Sequence, residues 1–447
     1  MGERSQLQSH LSTIRLLQHQ VATLLVYQDV LTTEPAIALV NLLAHLEQAA
    51  IAPTPMQHGL DCLHAYGQWF RALATQSCSW ATHLLTEILW SANAFTQQAQ
   101  RQDFVALPPA LVAAAQHDLQ ALQALYQLDP QQMSQWVAAA AGLEVPLPAW
   151  ELAAAPIATM DQAIIAMLHQ SPNWADMVAE LAQYHRHAGV GLFARYRAFR
   201  WQQGQLQGIP QPDAVRLTDL VGYDIPRQAL IQNTEALLAG YSALHTLLYG
   251  SRGTGKSSLV KALLNEYGDR GLRLIEVSKA ELADLATIVE RLRDAPQRFI
   301  IFVDDLSFEE DDDAFKALKV VLEGHVTARP KNVVVYATSN RRHLIREFFG
   351  DRPRPSDADE IHSWDTVQEK LSFSDRFGLT LTFEPPDQTA YLEIVRHLAA
   401  IANIEIETSD LEFRALQWAT RHNGRSGRTA RQFVDALQAE WHLDKAP

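Results

Sequence analysis

The sequence predicts an all-α region, then an α/β region with a parallel sheet, and finally a helical lid. Charge separates the first two regions, because residues 1–212 contain eight arginines and no lysine, and Lys256 is the first lysine of the chain. Beyond this boundary, short apolar segments alternate with helical patterns, as expected for a parallel sheet covered by helices. We therefore expect an all-helical region over 1–200, a linker over 201–216, an α/β core over 217–385 and a helical lid over 386–447.

The first region shows helical periodicity. Apolar residues recur at Leu11, Ile14, Leu17 and Val21, on one face of a helix. Closely spaced prolines are expected to separate the helices, because proline is poorly tolerated inside one. These prolines stand at positions 53 and 55, 108 and 109, and 146 and 148.

The second region contains five short apolar segments that are predicted to be buried parallel strands. Helical patterns begin near Lys256, Glu281 and Asp312, between these segments. This alternation predicts an α/β fold with helices on both faces of the sheet. The predicted strands are Leu244–Tyr249, Leu272–Val277, Phe299–Val303, Val333–Ala337 and Leu379–Phe383.

Composition limits the classes of protein to consider. The formal net charge of −14 argues against broad adhesion to nucleic acid or anionic lipid. Cys62 and Cys78 form no metal-binding or redox motif, which favours a reducing compartment and no structural zinc. The chain contains no apolar run of membrane-spanning length, and its first residues lack a signal-peptide core. We expect a cytoplasmic protein with no membrane span.

The segment LLYGSRGTGKSSLV, residues 247–260, predicts a triphosphate-binding loop between a strand and a helix. Its glycines let the backbone curl until the N–H groups point at phosphate oxygens. Lys256 is expected to reach the β- and γ-phosphates, and the Ser257 hydroxyl to contact Mg²⁺. The predicted nucleotide-binding residues of the loop are Gly250, Ser251, Arg252, Gly253, Thr254, Gly255, Lys256, Ser257 and Ser258.

Polar residues follow two of the predicted strands, where a phosphate-binding fold places its metal and its attacking water. In FIIFVDDLSFEEDDD we assign Asp304 to Mg²⁺ and Asp305 to the water. In NVVVYATSNRRH, Thr338, Ser339 and Asn340 are expected near the γ-phosphate, with Asn340 as the best candidate. An alternative for Asn340 is that it caps the next helix.

These motifs, in this order and at these spacings, resemble an AAA+ P-loop ATPase. The closer resemblance is to the bacterial AAA+ family catalogued as domain of unknown function 815, and it covers roughly residues 215–440. Residues 1–212 resemble no family that we can name. Besides the phosphate loop and the acidic pair, the motifs that carry the resemblance are ATSNRRHLI, LSFSDRFGLTLTF, PPDQTAYLEIVRH and SGRTARQF.

The resemblance implies roles for further residues. Val221 and Gly222 would flank the adenine, and Asn340 would act as the first sensor. Arg376 stands where many AAA+ proteins carry an arginine finger that reaches into a neighbouring subunit's site. Arg428 resembles a second sensor and is preferred over Arg431. For each arginine the alternative is a surface ion pair.

The implied activity is binding and hydrolysis of Mg-ATP in a homo-oligomer with shared sites, with a hexamer as one arrangement. The assembly would remodel, load or position a macromolecular client, and we expect that client to be a protein. The rival interpretation is a nucleotide-dependent scaffold or switch with little turnover. One departure from the commoner motif bears on this choice: the second acid is Asp305 rather than glutamate, so Glu309 or Glu310 is an alternative base.

Two features of the first region bear on partners. Arg186, Arg195, Arg197 and Arg200 alternate with aromatic residues, which would suit a nucleic-acid backbone, although we favour a structural helix joining two domains. Seven of the ten tryptophans lie between positions 69 and 201. We interpret them as core residues, with a partner-binding surface as the alternative.

Overall fold

A computed structural model describes residues 2–51, 55–151, 159–307, 313–323, 330–340, 376–422 and 424–444. The chain divides into two compact units, Met1–Arg195 and Tyr196–Pro447, which we call the helical unit and the α/β unit. Among the described residues, no helix has both the length and the apolar character needed to cross a membrane.

The helical unit consists of helices and short 3₁₀ turns throughout its described residues. Two of the helices begin at predicted separator prolines, Pro55 and Pro109, and Pro146 and Pro148 lie outside the helices, after α7 ends. Pro130, which was not among the predicted prolines, begins another helix. The helices are α1 (Gly2–Ala22), α2 (Glu34–Ile51), α3 (Pro55–Gln76), α4 (Trp80–Trp90), α5 (Ala94–Ala99), α6 (Pro109–Tyr126), α7 (Pro130–Ala141), α8 (Thr159–Gln170), α9 (Val178–Ala188) and α10 (Leu192–Arg195).

Tryptophans of the helical unit lie in its core. Trp69, Trp80, Trp136 and Trp174 are at most 2% exposed. They pack within one continuous apolar cluster, which also includes leucines of α2, α4 and α6. The interpretation of these residues as core residues is therefore confirmed, and these four are not available as surface anchors.

The α/β unit is built on a sheet whose described strands follow the order β2-β1-β4-β5-β6-β3-β7. All neighbouring strands are parallel except β1 and β2, which form an antiparallel hairpin. The five predicted strands are confirmed to within two residues at each end. The strands are β1 (Ala198–Gln202), β2 (Gln205–Ile209), β3 (Thr246–Gly250), β4 (Leu272–Glu276), β5 (Arg298–Val303), β6 (Val333–Ser339) and β7 (Leu379–Phe383).

The helices of the α/β unit lie between the strands and after the last of them. Those between strands are α11 (Asp224–Leu238), α12 (Lys256–Tyr267), α13 (Leu285–Leu292) and α14 (Asp313–Glu323). The last three, α15 (Gln388–Ile401), α16 (Thr408–Arg421) and α17 (Gly427–Asp444), bury a separate apolar cluster around Tyr391 and Phe433. The predicted architecture is confirmed: an α/β core with a mostly parallel sheet and C-terminal helices follows an all-helical region.

The predicted linker is wrong in part. Residues 198–209 form the β1–β2 hairpin, and β1 extends the parallel sheet beside β4. Phe199 and Trp201 point into the core while Arg200 and Gln202 are exposed, which is the period of two expected for a half-buried strand. The division between the compact units falls at Arg195–Tyr196, before this hairpin. The lack of charge suggested a linker, but the alternation of buried and exposed residues is that of a strand.

The arginines of the predicted basic patch are engaged within the chain. Their charges are partly neutralised by acids or covered by an aromatic ring, which leaves a weak footprint for a phosphate backbone. The structural interpretation of this segment is therefore favoured, although a strand, and not a helix, follows Arg195. The contacts are Arg186 with Asp103, Arg197 with Asp269 at 2.5 Å, Arg200 with Glu276 at 2.8 Å, and the Arg195 guanidinium at 4.9 Å from the Trp90 ring centre.

Candidate functional site

The phosphate loop lies where the order of the strands reverses. Strand β3 runs between β6 and β7, and the loop leaves its carboxyl end and enters α12. Ligands of open α/β sheets bind at such switch points. Glycine is required in the loop: Gly250, Gly253 and Gly255 have φ values of +144°, +78° and +87°. At Gly250 a Cβ atom would lie 1.9 Å from the Phe383 carbonyl oxygen.

Lys256 is the first residue of α12, and its ammonium group is held inside the loop. Nζ donates to the carbonyl oxygens of Gly250 at 2.9 Å and Ser251 at 2.7 Å. It also lies 3.5 Å from Asn340 Oδ1. Burial lowers the pKa of Lys256, and the carboxylates of the acidic pair partly oppose that shift. Among the described residues, loop carbonyls and polar neighbours therefore solvate this positive charge.

Asp304 follows β5 and meets the first turn of α12. Its Oδ1 accepts hydrogen bonds from Ser257 Oγ at 2.6 Å and from Thr338 Oγ1 at 2.5 Å. The two residues assigned to Mg²⁺ from the sequence are therefore adjacent. Thr338, which was not assigned to Mg²⁺, donates to the same carboxylate oxygen from the neighbouring strand β6.

Asp305 has a left-handed backbone conformation, with φ +50°. Aspartate tolerates this region better than most residues. The Asp305 N–H donates to Thr338 Oγ1 at 2.9 Å, and Asp305 Oδ1 accepts from Asn340 Nδ2 at 2.6 Å. Asn340 consequently contacts both Asp305 and Lys256, which brings the predicted sensor, base and loop lysine together.

The cleft that opens over the loop has a volume of about 570 Å³, which is within the range of small-molecule sites. Its polar lining includes the loop and the acidic pair. Its apolar lining comes from the segment before β3 and from helix α15. Its apolar lining residues are Val215, Leu220, Val221, Ile394 and Leu398.

The segment before β3 is fixed to the sheet by Tyr223. This residue has φ +57°, and its hydroxyl donates to the Glu384 carbonyl oxygen at 2.5 Å. Burial, with help from the Glu384 charge, raises the pKa of Tyr223 to about 12. Tyr223 lines the cleft together with Val221.

Helix α17 packs directly against the phosphate loop. The Arg428 N–H donates to the Gly253 carbonyl oxygen at 3.2 Å. A Cβ at Gly427 would lie 3.0 Å from that same oxygen, so the contact is close. Both Arg428 and Arg431 line the cleft. They add two positive charges to the lining from the C-terminal helices.

The structure brings most of the sequence-predicted residues together. The loop residues from Arg252 to Ser258, the acidic pair, Asn340, Arg428 and Val221 all line the cleft. Gly250 and Ser251 support the loop through their carbonyls, and Gly222 precedes Tyr223 with φ +82°. Glu309 and Glu310, the alternative bases, lie outside the described residues.

Arg376 is not among the residues that line this cleft. It precedes β7, which runs parallel to β3, and the Leu379 N–H donates to the His245 carbonyl oxygen before β3 begins. Arg376 therefore lies near the amino end of the sheet. The phosphate loop lies at the carboxyl end, at least the length of β7 away, or roughly 13 Å.

Sequence analysis missed several lining residues. Ile394 and Leu398 stand four residues apart on α15, and Gln432 lies on α17. The apolar pair has the i, i+4 spacing of one helix face, but the sequence does not indicate which face covers a ligand. Thr338, expected near the γ-phosphate or the attacking water, lines the cleft, and its hydroxyl also bonds to Asp304 and to the Asp305 N–H. Ser339 is buried, with 1% of its surface exposed.

The donors beside the loop fit Mg²⁺. A hydroxyl and a carboxylate oxygen 2.6 Å apart are hard ligands of the kind that this ion accepts, together with phosphate oxygens and water. Among the described residues, no group of three or more His, Cys, Asp or Glu side chains could hold a metal alone.

The fold and the site are those of an α/β unit that carries a glycine-rich phosphate loop at the switch point of its sheet. A family model described as "Protein of unknown function (DUF815)" matches residues 194–441, more than half of the chain. The chain belongs to this family. None of the curated proteins matches it.

The solved structures to which the chain is similar include the following three. A Thermotoga maritima RuvB Holliday junction branch migration motor is 17% identical over 52% of this chain and 67% of its own, with a TM-score of 0.37. The replication initiator DnaA, bound to AMPPCP and single-stranded DNA, is 17% identical over 50% of this chain and 64% of its own, with a TM-score of 0.34. The FIGL-1 AAA domain in complex with ADP is 17% identical over 53% of this chain and 76% of its own, with a TM-score of 0.36.

Proposed function

We propose that this protein binds Mg-ATP in the cleft and hydrolyses it in a homo-oligomer with shared sites. The hydrolysis would remodel, load or position a macromolecular client. The observation that carries the proposal is a pair of hydrogen-bonded groups beside one phosphate loop. Asn340 contacts Lys256 and Asp305, and Ser257 donates to Asp304.

The cleft suits a nucleoside triphosphate from end to end. The loop N–H groups and Lys256 would hold the phosphates, and the apolar lining residues, among them Val221 and Leu398, would contact the base. Ser257 and Asp304 would hold the magnesium ion. When bound, this ion would neutralise charge on the phosphate oxygens.

Hydrolysis requires an attacking water in line with the terminal phosphate. We assign its orientation to the Asp305 carboxylate, and Asn340 fixes that carboxylate by donating to Oδ1. Arg428, on the lid side of the cleft, would stabilise charge that develops on the phosphate. These residues position and polarise, as phosphoryl transfer demands, and none forms a covalent bond to the substrate.

Assembly would complete the site through Arg376. This residue lies at the far edge of the sheet from its own phosphate loop, which supports a role in a neighbour's cleft. A fixed guanidinium supplied in trans is worth about 10³- to 10⁵-fold in rate. We therefore propose a homo-oligomer, with a hexamer as one arrangement, in which activity depends on assembly.

Substitution of Lys256 tests nucleotide binding. Lys256→Ala should abolish ATP binding, measured with a fluorescent ATP analogue. Lys261→Ala is the matched control, because it removes a lysine from the same helix at an exposed ion pair with Asp213. Equal losses in both variants would contradict a binding role for the loop lysine.

Substitution of Arg376 tests the shared site. Wild-type hydrolysis per subunit should rise with protein concentration, and Arg376→Ala should remove most of this rise. Arg414→Ala, which breaks an exposed pair with Glu440, is the control for loss of an arginine. A rate per subunit that is constant at all concentrations and unchanged in Arg376→Ala would refute sharing.

A second candidate function is a nucleotide-dependent switch with little turnover. The observation in its favour is that Asp305 is shorter than the glutamate of the commoner motif, and its carboxylate is already engaged by Asn340. A bound water would then be less well oriented. If wild-type turnover does not exceed that of Asp305→Asn while ATP still changes the pattern of limited proteolysis, the switch is favoured.

We assign selection of the client to the helical unit and expect that client to be a protein, in the cytoplasm. Support comes from the paired arginines, which weaken the case for nucleic acid, and from Cys62 and Cys78, which are both free thiols. Affinity capture with Asp305→Asn and ATP should hold the client. Capture that is equally efficient with residues 196–447 would contradict a role for the helical unit.

A further inference from the structure

Thr338 connects the two acids of the candidate site. Its hydroxyl donates to Asp304 Oδ1 at 2.5 Å and accepts from the Asp305 N–H at 2.9 Å. The side chain is only 2% exposed, so the cleft does not solvate it freely. One hydroxyl thus donates to the carboxylate of Asp304 and accepts from the backbone of Asp305.

We propose that Thr338 is a positioning residue, whose hydroxyl locks the carboxylate of Asp304 and the backbone turn at Asp305 into one unit. It acts through the acidic pair and does not contact the phosphate. The inference rests on the proposed function and deepens it, because it names what orients the metal-side acid.

The backbone around Thr338 explains why the hydroxyl is well placed for this role. The Leu306 N–H donates to the Thr338 carbonyl oxygen at 2.7 Å. Strand β6 therefore holds the chain on both sides of Asp305. The Asp305 backbone is left-handed, a region that residues other than glycine seldom adopt, so its conformation depends on such bonds.

The carboxylate of Asp304 is held from two sides. Ser257 Oγ donates to Oδ1 from the phosphate loop, and Thr338 Oγ1 donates to the same atom from the sheet. When Mg²⁺ engages Ser257, the bond from Thr338 would still fix the rotamer of Asp304. Partners of this kind typically alter metal affinity or activity by about 10- to 100-fold.

The test compares Thr338→Val, which removes the hydroxyl, with Thr338→Ser, which keeps it. Thr234→Val is the matched control: its buried hydroxyl donates to the Leu230 carbonyl oxygen at 2.8 Å and lies 3.0 Å from the Tyr336 hydroxyl. Helix α11, which carries Thr234, contributes no residue that lines the cleft. All variants are made in the full chain.

Two measurements are made on each protein. The first is the dissociation constant of a non-hydrolysable ATP analogue with and without Mg²⁺. The second is kcat for ATP with its dependence on Mg²⁺ concentration. In Thr338→Val, the factor by which Mg²⁺ lowers the dissociation constant of the analogue should fall about 10- to 100-fold, and kcat should fall by a similar factor. Its affinity for the analogue without Mg²⁺ should stay within about 2-fold of wild type.

Thr338→Ser should restore both quantities to within about 3-fold of wild type, and Thr234→Val should leave them unchanged. Full Mg²⁺ tightening and wild-type kcat in Thr338→Val would overturn the inference. So would a serine variant that fails like valine, or a control that fails equally. A wild-type chain that binds the analogue with Mg²⁺ but hydrolyses no ATP would refute the proposed hydrolysis alone, and the tightening ratio would still decide the role of Thr338.

Discussion

Replacement of Gly250 by alanine should separate two strands of the sheet beside the nucleotide site. The added Cβ would lie 1.9 Å from the Phe383 carbonyl oxygen, whereas real Cβ atoms essentially never approach closer than 3.0 Å. The main chain must therefore move by about 1 Å, since the atom it meets belongs to the backbone of β7. The same movement would weaken the bond from the Ser251 N–H to that oxygen, now 3.2 Å long.

The cost has two parts that can be separated within the loop. A residue with a side chain at φ +144° pays roughly 1–3 kcal/mol of backbone strain. Forcing apart a packed contact adds about 1–3 kcal/mol. Gly255→Ala pays the first part alone, because φ there is +87° and no atom lies within 4 Å of its Cβ. Gly250→Ala should therefore be less stable than Gly255→Ala by about 1–3 kcal/mol.

Thermal unfolding of the full chain checks this difference. The relevant transition is the one that ATP shifts in the wild type, and about 1 kcal/mol corresponds to 2–4 °C for a unit of this size. Gly250→Ala should melt roughly 2–12 °C below Gly255→Ala. Gly204→Ala, at φ +73° with open space around its Cβ, should resemble Gly255→Ala. Equal melting temperatures for all three variants would refute the steric reasoning.

Three further predictions concern other parts of the chain. Asp118→Ala should destabilise the helical unit by about 2–5 kcal/mol in urea unfolding, because this buried carboxylate accepts the N–H groups of Leu25, Val26 and Tyr27; a loss below about 0.5 kcal/mol would contradict it. Burial lowers the pKa of His83 and His185 to about 4. The unfolded chain therefore binds more protons below pH 6.5, and stability should fall by about 2 kcal/mol per histidine between pH 7 and pH 5. His83→Gln should show a shallower decline, measured by tryptophan fluorescence, and an unchanged slope would contradict the assignment. Asn340→Ala should keep ATP affinity within about 3-fold while kcat falls about 10- to 100-fold, because Asp305 loses its partner; an unchanged kcat would exclude this role.

Sequence reasoning located the strands because buried parallel strands leave unmistakable apolar runs, such as Phe299–Val303. It missed the β1–β2 hairpin, since Gln202, Gln203 and Gln205 suggested a linker. The informative signals were the alternation at Phe199 and Trp201 and the turn at Gln203 and Gly204, where φ is +53° and +73°.

The candidate site could be predicted only where local motifs define it. The loop, the acidic pair and Asn340 each carry a local pattern, and the fold brings them together. Ile394 and Leu398 could not be assigned, because their role depends on how α15 lies over the cleft. Thr338 could be placed near the site, but its bond to Asp304 depends on the register of β5 against β6.

Mixing two inactive variants tests the shared ATP-hydrolysing site most directly. Lys256→Ala subunits lack a working loop but keep Arg376, and Arg376→Ala subunits keep the loop but lack the arginine. Neither alone should hydrolyse ATP at the wild-type rate. A mixture should exceed the sum of the two separate rates, because some clefts then receive an intact arginine from a neighbour. A mixture no faster than that sum, beside an active wild type, would contradict the shared site, and an inactive wild type would contradict hydrolysis itself.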